Sequence, residues 1–135
     1  MTPLEALDRL RSAAASTELE RVCQRLGIRL LVVFGSAIDE ERLREPEDLD
    51  VAVLLTESTD LVDVVNGLLD LVRCDALDVM DLGRAGVVAR ASALGVCEPL
   101  YEAEPGLFAN RQMAALAERM DTAWLRRLDL ELMAR

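Results

Sequence analysis

Two aspartates, Asp48 and Asp50, stand where the polar stretch EERLREPE gives way to the apolar run LDVAVLL. In an extended chain, residues two apart face the same way, so both carboxylates project from one side while Leu49 faces the other. A separation of roughly 6.5 Å implies a repulsion of about 2–3 kcal/mol at an effective dielectric near 20. Water or a cation has to offset it. A third aspartate, Asp78, interrupts another apolar run between Leu77 and Val79. If the two runs are neighbouring strands, Asp48, Asp50 and Asp78 form one cluster of hard oxygen donors. Such donors suit Mg²⁺, or Mn²⁺, which accept one or two carboxylates and complete their shells with water and substrate phosphates. Two such ions about 4 Å apart would clamp the attacking and leaving oxygens of a phosphoryl-type displacement.

A second constellation precedes the first. The run IRLLVVF ends abruptly in Gly35 and Ser36. Glycine lets a backbone approach a phosphate closely, and a following helical turn aims amides at it. The Ser36 hydroxyl adds a donor. Together they read as a triphosphate cradle beside a metal-binding carboxylate set.

Composition narrows the chemistry further. There is no histidine, and all 15 basic residues are arginine. That excludes histidine-based triads and dyads, histidine-ligated metals, Schiff-base lysines and the lysine grip of a P-loop. A net charge of −10 argues against direct binding of duplex nucleic acid, which depends on neutralising phosphates. Cys23, Cys74 and Cys97 are odd in number and lack metal spacing, so reduced thiols in a cytoplasmic protein are expected. The N-terminus carries acids and no continuous apolar core, unlike a secretory signal, and no apolar run approaches the roughly 20 residues of a membrane span.

The elements that must position these residues follow from periodicity. At 135 residues, a single domain is expected, 1–135, with N-terminal helices over 1–26, a catalytic core over 28–103 and a C-terminal helix over 107–135. Thr2 and Pro3 open a first helix, and a second runs from Ser16 to Leu26, where Gly27 stops it. IRLLVVF, LDVAVLL and ALDVMDL are strands, and CEPLYE is a short extended piece. Helices are predicted from Ser58 or Thr59 to Val72, over residues 84–94, and from Leu107 to Leu132. Strands alternating with helices imply an α/β fold with a small mixed sheet of three to four strands flanked by helices. In the last helix Met113, Leu116, Met120, Trp124 and Leu128 form one stripe. That stripe is expected partly to cover the sheet and partly to overhang, where it would meet another chain.

Gly35-Ser36, eleven residues, Asp48-Leu49-Asp50, and then a distant aspartate in an apolar strand resemble the minimal nucleotidyltransferases of the DNA polymerase β superfamily. The string LDVMDLGRAGVVARASALGVCEPLYE is similar to that family's third strand, following helix and closing segment, and the likeness spans roughly residues 15 to 103. The resemblance implies a polymerase-β palm-like fold. By it, Asp48 and Asp50 bind two Mg²⁺ ions, Asp78 acts near the attacking hydroxyl, and Gly35 and Ser36 hold ATP or another NTP. It further implies transfer of AMP to a hydroxyl on a helical HEPN-domain toxin, with this chain as antitoxin. A homo-oligomer through the C-terminal helix is left open. The chain departs from the family pattern in its eleven-residue spacing, usually ten, and in an acidic connecting loop with Glu47, not serine, before Asp48.

Other readings compete residue by residue. Ser36 with Asp39 three positions on makes a good helix N-cap without any nucleotide. Asp75 and Asp81 rival Asp78, but each sits at the edge of its run. Arg84 and Arg90 are candidate phosphate contacts whose default place is a solvated helix face, and Arg42 and Arg44 are the cations nearest the acidic loop. A non-catalytic module of the same fold, neutralising a partner by binding alone, is the alternative function.

Overall fold

A computed structural model describes residues 1–134, apart from the side chain of Thr122. Arg135, the last residue of the expected C-terminal segment, lies outside them. Helix α1, Pro3–Ala15, opens on a reciprocal capping box in which the Thr2 hydroxyl accepts from the Glu5 amide and the Glu5 carboxylate accepts from the Thr2 amide. Helix α2, Glu18–Leu26, ends at Gly27 in the left-handed conformation, φ +80°. Strand β1, Ile28–Phe34, follows, then a single 3-10 turn at Ser36–Ile38 and strand β2, Leu49–Leu55. Helix α3, Leu61–Val72, leads to β3, Leu77–Asp81. Helix α4, Val87–Gly95, strand β4, Cys97–Glu102, and helix α5, Leu107–Met133, complete the chain.

Three helix starts differ from expectation. Helix α2 begins after Thr17, because the Ser16 hydroxyl is engaged in its own turn, accepting from the Glu18 amide and donating to the Ala13 carbonyl. The cap of α3 is Asp60, whose carboxylate accepts from the Val62 amide, and neither Ser58 nor Thr59 serves. Helix α4 starts only at Val87, because the amides of Gly83, Arg84 and Ala85 all turn back onto Asp81.

The strands form one mixed sheet in the order β3-β2-β1-β4. Strand β1 runs antiparallel to both β2 and β4, and β2 runs parallel to β3. The extended piece CEPLYE is therefore a true fourth strand, and its Pro99 is tolerated because β4 lies at an edge. One face, carrying Leu31, Val33, Leu49, Val51 and Val53, is buried under α1, α2 and α3. The other, carrying Leu30, Val32, Ala52 and Leu82, packs on α4 and the first turns of α5. Among the described residues, no helix is long and apolar enough to cross a membrane.

Helix α5 corrects one expectation. Its stripe does not cover the sheet: Met113, Met120 and Trp124 are 69, 71 and 61% exposed, and Leu116 and Leu128 are also open. The contact with the core is made instead by Leu107, Ala115 and Phe108 on the opposite side of the helix. Two hydrogen bonds from the Gln112 amide to the Leu94 and Gly95 carbonyls fasten that side to the end of α4.

Candidate active site

Pairing of β2 with β3 brings two of the aspartates together. The parallel register sets Asp50 directly opposite Asp78, with Leu49 opposite Leu77 and Val51 opposite Val79. Side chains at matched positions of adjacent strands share a face, about 4.8 Å apart at the backbone. Leu49 is fully buried beneath α1–α3, so Asp50 takes the opposite face, as period-2 alternation requires. Asp48, one residue ahead of β2, is exposed at the mouth of that row.

Charge crowding is legible in Asp50. Its carboxyl titrates above the ordinary 3.8, first because partial burial strips water from it, then because Asp78 and Asp48 repel its charge. Asp50 thus senses both of the other carboxylates at the end of the sheet. A bound cation would remove that penalty.

Gly35 completes the arrangement sterically. It stands at φ +80°, and a Cβ built there would lie 2.3 Å from Asp50 Oδ2. Any side chain would collide with the carboxylate on the neighbouring strand. Glycine at this position is thus explained twice, by backbone conformation and by the close approach of Asp50. Ser36 is exposed and is the first residue of the 3-10 turn, with Gly35 in the cap position. The N-cap role for Ser36 is not realised, because no longer helix follows. Asp39 ends the turn, with its amide bonded to the Ser36 carbonyl and its carboxylate accepting from the Glu41 amide.

Loop 39–48 forms the outer wall of a groove of about 580 Å³ floored by Ser36, Asp48 and Asp50. The wall carries Asp39, Glu41, Glu45 and Glu47 against Arg42 and Arg44. Arg42 is committed to the loop, its Nη1 donating to the Asp39 carbonyl at 2.8 Å. Leu43 is 99% exposed at the tip, while Pro46 is buried and fixes the chain's return to β2. Sequence reasoning recognised this loop as acidic but did not foresee it as a wall of the groove.

The remaining candidates separate cleanly. Asp75 is an exposed turn residue. Asp81 Oδ1 accepts from the Gly83 amide at 3.0 Å and Oδ2 lies 3.8 Å from Arg84, so both residues shape the turn after β3. Arg90 points its Nη2 at Glu118 of α5, 3.0 Å away, near the ends of β2 and β3 remote from Asp50 and Asp78.

Whether these carboxylates suit a metal is a question of donor chemistry. Among the described residues, no three acidic, cysteine or histidine side chains already converge as a ready-made cage. The half-buried Asp50 flanked by two exposed carboxylates does match what Mg²⁺ accepts, a few protein oxygens with the rest from water and substrate phosphate. The set fits an ion that arrives with a nucleotide better than one held by protein alone.

No protein-family model matches the chain, and no curated protein matches it either. Solved structures do. The chain superposes with TM-score 0.64 on a chain of the tri-AMPylated HEPN toxin in complex with its MNT antitoxin from Shewanella oneidensis. That match has 14% identity over 93% of this chain and 99% of the other. A toxin–antitoxin structure with AMP-PNP matches at TM-score 0.65 and 16% identity, over 87% of this chain and 96% of the other. An MntA–HepT complex matches at TM-score 0.62 and 14% identity, over 88% and 96%. These likenesses establish the fold: a small mixed sheet flanked by helices, shared with chains of MntA–HepT-type toxin–antitoxin structures.

Proposed function

We propose that this protein is a Mg²⁺-dependent nucleotidyltransferase that moves AMP from ATP to a hydroxyl on a helical, HEPN-type partner, acting as its antitoxin. The observation that carries the reading is the Gly35–Asp50–Asp78 arrangement: a glycine turn packed so closely on Asp50 that a Cβ would meet its carboxylate, with Asp78 in register on the next strand. The fold adds support, since its solved counterparts include a complex with AMP-PNP and one with an AMPylated toxin.

In this reading Asp48 and Asp50, with Asp78, would hold the metal. When bound, the metal supplies charge neutralisation for the triphosphate and Lewis-acid activation of the α-phosphoryl group. Gly35 gives the phosphates access to the turn, and the Ser36 hydroxyl and backbone amides donate to their oxygens. Asp78, exposed on the outer strand, would accept a proton from the incoming hydroxyl. Arg44, exposed in the groove wall, would offset the acidic loop and meet the pyrophosphate. In this reading the acceptor hydroxyl arrives on the helical partner.

The test is calorimetry with ATP and Mg²⁺ on wild type and on the double variant Asp48→Asn, Asp50→Asn, followed by labelled-AMP transfer to a co-expressed partner. Metal-dependent binding and transfer are expected in wild type and neither in the variant. One observation favours a second reading, a module that neutralises its partner by contact alone: four carboxylates in the groove wall oppose a triphosphate. Under that reading, Asp50→Asn leaves partner neutralisation intact.

A further inference from the structure

About four residues along the same strand rows, on the order of 13 Å from Asp50, the sheet carries a second and unrelated cavity. Leu54 of β2 and Leu82, just past β3, form its floor, and α4 and α5 close over it with Leu94, Arg90, Arg111 and Glu118. Its volume is about 80 Å³.

The polar groups there are not balanced. Arg90 Nη2 donates to Glu118 at 3.0 Å, but Arg90 Nε is buried with no hydrogen-bond partner. Native structures seldom leave a buried cationic donor in that state. Arg111, two turns before Glu118 on α5, makes no ion pair among the described residues. Two guanidiniums and one carboxylate leave the lining one positive charge in excess. A monoanion cancels that excess, whereas a dianion meets Glu118. The floor is aliphatic, which favours hydrocarbon immediately behind the charged head. The volume falls far below the roughly 300–1,000 Å³ of cofactor and nucleotide pockets, so only a group of side-chain size enters.

We propose that the α4–α5 cavity is a carboxylate-binding site for a monoanion with a short aliphatic body. Arg90 Nε and the Arg111 guanidinium hold the carboxylate, and Leu54, Leu82 and Leu94 surround the chain behind it. The same chemistry reaches the site from two sources, a free short-chain acid or a glutamate side chain presented by a docked polypeptide. The inference does not depend on nucleotidyl transfer.

Methyl-resolved NMR of the full chain, titrated with butyrate, with acetyl-glutamate amide and with inorganic phosphate, tests it. Saturable shifts of the Leu82 and Leu94 methyls are expected with at least one carboxylate, at affinity at least tenfold above phosphate. Arg111→Gln, at an exposed position, should weaken binding at least tenfold, and Arg90→Gln at least as much. Tighter binding of acetyl-glutamate amide identifies a polypeptide source, and tighter butyrate a free acid. The proposal fails if neither carboxylate saturates, as with a cavity that merely holds water. It also fails if phosphate binds as well, or if the shifts survive Arg111→Gln. Arg111→Gln decides the matter even if Arg90→Gln, which also removes the contact with Glu118, does not fold.

Discussion

On one side of the sheet, three helices meet Leu31, Val33, Leu49, Val51 and Val53, every one of them shut off from solvent. On the other, α4 and α5 meet a shorter set, Leu30, Val32, Ala52 and Leu82, and the row begins with a strained carboxylate at Asp50. The first face is apolar from α1 to α3 and includes the buried Cys23 and Cys74 thiols. The second carries the aspartates, the groove, the arginine-lined cavity and the long exposed stripe of α5. The larger buried core lies on the face without the aspartates, and the groups whose charge is unfavourable lie on the other.

That contrast can be broken most sharply from the packed side. Leu31→Ala leaves a void in the centre of β1 and should cost about 3–5 kcal/mol in chemical denaturation, against under about 1.5 kcal/mol for exchanging the half-buried Leu54 for methionine. Comparable costs on the two faces would dissolve the distinction.

Gly35→Ala comes next. A left-handed backbone and a Cβ 2.3 Å from Asp50 Oδ2 require the Asp50 carboxylate to swing out of its place. A loss of about 1–3 kcal/mol is expected, with ATP binding abolished in the same calorimetric assay. Retained binding would sever Gly35 from the site.

Asp50→Asn should act in the opposite direction on stability. The folded-state pKa of Asp50 lies above the ordinary 3.8, so its charged form disfavours the fold at neutral pH. That cost fades as pH falls through the raised value, and below 3.8 it is gone. The variant should therefore melt higher than wild type at pH 7, with the advantage vanishing in acid, while transfer is lost. A contrasting group is Glu98 of β4, held below its usual 4.5 by hydrogen bonds from Arg11 of α1 at 2.7 and 2.8 Å. Its contribution is present above pH 4.5 and lost as pH falls through the lowered value. Glu98→Gln should thus cost under about 1 kcal/mol, at neutral pH only.

The smallest effect belongs to the far end of α5. Trp124→Ser should alter stability by no more than about 0.5 kcal/mol, because the indole touches solvent and not the core. A larger change in thermal melting would show that the stripe is already covered in solution.

Much of the molecule could be read from its residues because local signals agreed with one another. Thr2, Pro3 and Glu5 specify a helix start by short-range hydrogen bonds alone, and LDVAVLL alternates around Leu49 whatever lies beside it. The ends of α3 and α4 were less legible. Ser58, Thr59 and Asp60 are comparable caps, and the turn after β3 depends on which amides Asp81 captures. The stripe of α5 misled for a different reason: periodicity identifies an apolar face but not which side of the helix the core will use.

The sequence by itself determined the donor chemistry, with no histidine and no lysine, the glycine that ends β1, and the side of the strand each aspartate takes, since period-2 geometry is a property of the chain. Only the tertiary structure decided that β2 and β3 are parallel neighbours in a register that sets Asp50 against Asp78, that Gly35 is fixed by Asp50 Oδ2, and that Arg90 meets Glu118 over a cavity. Those are contacts between segments distant along the chain. They arise from the burial of whole faces, which no local run of residues encodes.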